Sequence, residues 1–112
     1  MIDVGTIAEI ISVYMKHGWI LRRVLLSDKL KSALANAGSG IFGGVEITPS
    51  QIDGLWFSRP SKGTLEAWEL RHINTNPYAL IEVMETQIDT DQRSEILNGI
   101  ETRMRDNLSR KN

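Results

Sequence analysis

Apolar positions at the start of the chain recur with helical spacing. Val4, Ile7, Ile10, Ile11 and Tyr14 fall three and four residues apart and form one stripe, the mark of an amphipathic helix. Asp3 stands where an N-cap is expected, and Lys16-His17-Gly18 supplies cations for the last turn and then a glycine stop. Trp19 to Leu26 is predicted as a strand, although Arg22-Arg23 interrupts its alternation. Ser27-Asp28 then caps a second, shorter helix with Leu30, Ala33, Leu34 and Ala37 on one side and Gly38 at its end.

From Ile41 onward the pattern changes to strands. Val45 and Ile47 predict a short one. Thr48-Pro49-Ser50-Gln51 reads as a single helical turn, with Thr48 as cap, Pro49 at the first helical position, Gln51 closing a capping box and Gly54 as the stop. Three strands come next at 55–59, 64–73 and 78–85, joined by Pro60-Ser61-Lys62-Gly63 and Asn74-Thr75-Asn76-Pro77, both rich in turn formers. The last helix begins at Asp89 or Thr90 and repeats Ile96, Leu97, Ile100, Met104 and Leu108 at helical spacing. Gly99 lies inside it, where close packing against a neighbour is the expected reason. This order predicts one α+β domain over 1–112: an antiparallel sheet of four to five strands, with the N-terminal and C-terminal helices packed mainly on one face.

Treating both late connections as four-residue hairpin loops sets Arg59 opposite Thr64 and Ile73 opposite Tyr78. One sheet face then collects Leu55, Phe57, Trp68, Leu70, Ala79, Ile81 and Val83 as the core side, and a slip of one residue would scatter it. The other face carries Trp56, Ser58, Leu65, Ala67, Glu69, Arg71, Ile73, Leu80, Glu82 and Met84. There Glu69 meets Glu82, with Arg71 near enough to bridge them, amid apolar residues too numerous for a solvated face.

Composition fits a folded domain: 112 residues, 41% hydrophobic and 24% charged, enough for a core without disulfides or metal. There is no cysteine, which removes disulfide scaffolds, thiol catalysis and cysteine zinc sites and fits a reducing, cytoplasmic setting. The opening Met1-Ile2-Asp3-Val4 lacks a secretory pattern, and apolar runs such as Val24-Leu25-Leu26 are far below a membrane span. A net charge of −1 gives no overall pull toward nucleic acid or membrane. Locally, Lys16, His17, Arg22, Arg23, Lys29 and Lys31 make segment 16–31 basic.

No motif in the chain carries a complete catalytic or metal constellation. His17 is explained by the helix terminus, and His72 by a partly buried, hydrogen-bonded place near a strand end. Their separation makes no zinc spacing. Glu69 and Glu82 with Arg71 read as a structural ion cluster before general acid work or cation binding. Asp89-Thr90-Asp91 is explained by helix capping, Ser61-Lys62-Gly63-Thr64 by a hairpin turn, and Gly38 to Gly44 lacks the GxGxxG spacing. We therefore expect no cofactor, no metal and no catalytic residue.

The expectation is a non-catalytic binding or assembly module of unassigned process. It contacts a protein partner or a second copy through an open sheet face of Trp56, Leu65, Glu69, Arg71, Leu80, Glu82 and Met84. The first alternative is a small enzyme or ligand-binding protein with a small-molecule pocket near the sheet, using His72, Glu69, Glu82 and Arg71. The second is weak nucleic-acid binding through segment 16–31, with Trp19 stacking on a base.

Overall fold

A computed structural model describes residues 3–35 and 40–110. The expected ends of the second helix, Ala37 and Gly38, lie outside the described residues. Among the described residues, the elements run α1 (Val4–Lys16), β1 (Ile20–Leu26), α2 (Asp28–Leu34), β2 (Ile47–Pro49), β3 (Gly54–Pro60), β4 (Leu65–His72), β5 (Ala79–Glu85) and α3 (Thr90–Ser109). The five strands form one sheet in the order β2-β1-β3-β4-β5, with β1 and β2 parallel and the other pairs antiparallel. The class and strand number are those the sequence predicts.

The three helices start as their caps require. Asp3 accepts from Thr6 N at 2.8 Å, Ser27 from Leu30 N at 3.3 Å and Asp89 from Gln92 N at 2.8 Å. Each bond satisfies a first-turn N–H left open by the helix and contributes about 1 kcal/mol. That bond also lowers the Asp3 carboxyl below its ordinary value. In β1 the bulge falls between Leu21 and Arg23, so Arg22 has no residue opposite it on β3. This extra residue accounts for the broken alternation at Arg22-Arg23 and returns Val24 and Leu26 to the core.

Thr48-Pro49 forms no helical turn. It belongs to β2, paired in parallel with Leu25-Leu26 at the sheet edge, where the missing proline N–H costs no ladder bond. Gly54 is likewise the first residue of β3 rather than a helix stop: a Cβ there would lie 2.9 Å from Leu70 Cδ1.

The N-terminal and C-terminal helices do not share one face. Ile7, Ile11, Leu30 and Leu34 pack with Val24, Leu26, Leu55 and Phe57, whereas Leu97, Ile100 and Met104 pack with Leu25, Trp56, Trp68 and Leu70. The sheet is thus the middle layer, with α1 and α2 on one side and α3 on the other. The reason lies in β3, where Leu55, Trp56 and Phe57 are all fully buried. Successive side chains point to opposite faces, so consecutive buried positions need cover on both.

Candidate functional site

The grouping of late-strand residues depends on register, and the hairpins shift it. Ser61 N bonds Leu65 O at 2.9 Å and Leu65 N bonds Lys62 O at 3.0 Å, so the first turn closes around Lys62-Gly63-Thr64, with Gly63 at φ +60. Trp56 therefore faces Leu70, and Phe57 faces Glu69. In the second hairpin His72 N bonds Tyr78 O at 2.8 Å, which leaves residues 73–77 as the connection. Trp68 then faces Glu82, and Leu70 faces Leu80. Each register differs from the four-residue-loop expectation by an odd number, so β5 is displaced from β3 by an even number and keeps its face. Only β4 is turned over.

The expected open face is consequently divided. Leu65, Glu69 and Arg71 lie toward α1, whereas Trp56, Leu80, Glu82 and Met84 lie toward α3. Trp56 has no exposed surface; its Nε1–H donates to Glu101 of α3 at 2.8 Å, and Arg23 reaches the same carboxylate at 3.6 Å. Met84 is buried in the same cluster, while Glu82 is exposed. Glu69 and Glu82 do not meet. Glu69 instead accepts from the Tyr14 hydroxyl of α1, and Tyr14 stacks on Phe57 with ring centroids 4.1 Å apart. Burial first, then the bond to Glu69 and its charge, push the Tyr14 hydroxyl well above its ordinary 10.0, with Arg71 pulling the other way.

Arg71 is 9% exposed and donates to the carbonyls of His72 and Asn74, so it ties down the β4–β5 connection. It lines a shallow hollow of about 330 Å³ with Thr6, Tyr14 and Thr75. His72 lies across the strand from that side and lines a different hollow, of about 500 Å³, with Ser27, Lys29, Asp53 and Asn74. In it the Asp53 carboxylate accepts from Ser27 N at 2.6 Å and Ser27 Oγ at 3.2 Å, which fixes the start of α2. None of the hollows described brings His72, Glu69, Glu82 and Arg71 together.

In the basic segment Lys16, His17, Arg22, Lys29 and Lys31 are exposed, but the tryptophan expected to stack is not. Trp19 is buried at 8% exposure, with the Arg59 guanidinium 4.4 Å from its ring centroid. Arg22 and Arg93 lie 5.4 and 5.6 Å from the Trp68 ring. Neither tryptophan offers an open face to a base.

Among the described residues, the outer side of β5 has no strand paired to it. This strand ends the sheet order, and its backbone polarity is set by the bonds flanking it. His72–Tyr78 and Thr64–Thr86 are hydrogen-bonded pairs, so residues 80, 82 and 84 face β4 and the backbone groups of Ala79, Ile81, Val83 and Glu85 point outward. Those four residues are exposed, with Ile81 at 54% and Val83 at 45%. The opposite edge is defended by shortness and proline, Ile47-Thr48-Pro49, whereas Ala79–Glu85 contains no proline, lysine or glycine. Alternation alone predicts Ala79, Ile81 and Val83 as core, and the structure corrects this. The signal that could have found the edge is position: a last strand after two consecutive hairpins is a margin, and only its inner neighbour is covered.

Comparison with protein-family models, with curated proteins and with solved structures finds no significant match to this chain.

Proposed function

We propose that this protein is a non-catalytic binding and assembly module that takes up its partner by adding a strand to β5. One observation carries the reading: the outward backbone row of Ala79, Ile81, Val83 and Glu85 on a seven-residue edge free of proline and lysine, beside two exposed branched apolar side chains. Strand addition draws affinity from main-chain bonds and specificity from alternate side chains, and β5 offers both. The cysteine-free sequence suits a cytoplasmic setting, which belongs to the same reading.

Amide hydrogen exchange tests it. The Ile81 and Val83 N–H groups are followed as protein concentration is raised to about 1 mM, and again with a synthetic peptide of the Ala79–Glu85 sequence. Exchange at both positions is expected to slow by at least about tenfold. Exchange that stays at the open-edge rate in both titrations would overturn the proposal.

A further inference from the structure

We infer that the strand added to β5 is β5 of a second copy, antiparallel, with the two-fold axis at Ile81. The inference rests on the strand-addition reading above and specifies its partner and register. A two-fold axis perpendicular to the sheet pairs residues of like parity, and only odd-numbered residues offer backbone groups on this edge. The admissible registers are therefore few, and the side chains discriminate among them.

Centred on Ile81, Ile81 meets its own copy and Ala79 meets Val83 on both sides of the axis. Each of these pairs exchanges both of its N–H···O bonds, and from Ala79 to Val83 the paired side chains on the α1 side are all apolar. On the α3 side Leu80 faces Glu82, so no two carboxylates oppose each other. A shift to Glu82 sets that carboxylate directly against its copy, in the closer, non-hydrogen-bonded kind of pair, and puts Ala79 against Glu85. Centring on Val83 buries Ile81 against Glu85. Centring on Leu80 leaves only the two Ala79–Ile81 pairs complete before Val83 meets Pro77, which has no N–H to give, whereas centring on Ile81 completes three pairs before Pro77 is reached, opposite Glu85. Charge and donor inventory thus select one register, and it joins the exposed Ile81 and Val83 of both copies into a continuous strip on the α1 side.

The chain has no cysteine, so a single introduced thiol reports its own position without background. At Ile81 the Cα separation across the axis is about 5.5 Å, inside the range a disulfide spans. Glu82 is then two residues out of register with its copy and beyond that range. Ile81→Cys, a substitution at an exposed position, is expected to give a covalent dimer under mild oxidation in at least roughly tenfold higher yield than Glu82→Cys, Leu80→Cys or Val83→Cys. Preferential cross-linking by any of those three would overturn the register and leave strand addition standing. Absence of cross-linking by all four, with the edge amides still protected by the peptide alone, would overturn the second copy as partner. If the edge amides stay open throughout, strand addition itself fails.

Discussion

A Cβ added at Gly99 would meet no atom within 4 Å, and the residue is exposed in the interior of α3. Close packing, the reason expected for it, is absent, so the glycine only adds backbone freedom to the unfolded chain. Gly99→Ala is expected to raise stability by about 0.5–1 kcal/mol, read from the urea midpoint at unchanged slope. Tyr14 behaves in the opposite sense. Its hydroxyl spans from α1 to Glu69 on the sheet, and Tyr14→Phe is expected to cost about 1–2 kcal/mol at neutral pH. The folded hydroxyl titrates above its ordinary 10.0. Below that value both folded and unfolded forms are protonated and the contribution is complete; above it the unfolded chain loses its proton first, and stability falls. The gap between wild type and Tyr14→Phe should therefore narrow as pH rises beyond 10.0, the ordinary value, which denaturation across an alkaline series would show.

Among the elements, α3 is held to the sheet by an apolar row and by polar contacts, the most buried of them at Glu101. Leu97, Ile100 and Met104 are buried, and Glu101 between them receives Trp56 Nε1–H and Arg23. Glu101→Ala would strand the indole N–H of a fully buried tryptophan, an expected loss of about 1–3 kcal/mol, with the Trp fluorescence change and the helix signal moving together in urea. The helices are legible in the sequence because each announces itself twice, by a cap and by a periodic stripe: Asp3 with Ile7 and Ile11, Asp89 with Leu97, Ile100 and Met104. The sheet is legible in its strands but not in its faces. Leu55-Trp56-Phe57 and Ala67-Trp68 are apolar on both sides, so alternation does not tell which residue faces which layer. Loop length then decides, and the strand extends to Pro60 because a three-residue turn with Gly63 at positive φ closes the hairpin more tightly. Thr48-Pro49 misleads for a related reason: the same residues suit a helix start and an edge strand, and only the pairing with β1 distinguishes them.

For the molecule as a whole, the sheet is covered on both sides along its centre and left open at β5. Occupancy of that edge should appear as a mass-action effect: melting temperature is expected to rise with protein concentration in the wild type. Ile81→Lys, which sets like charges against each other across the axis, is expected to remove that dependence while leaving the dilute-limit melting temperature nearly unchanged, since the side chain is exposed. A scan over a hundredfold concentration range, roughly 2.7 kcal/mol of linkage, resolves the two. The other edge then sets how far such pairing can extend. Pro49 and the three-residue length of β2 deny a next strand its ladder, so a sheet joined at β5 has two blunt ends and nowhere to grow. Filament formation would require a second adhesive edge, so the pairing proposed at β5, with β2 as terminator, is expected to close at two copies even at concentrations where a sheet with two open margins would polymerise.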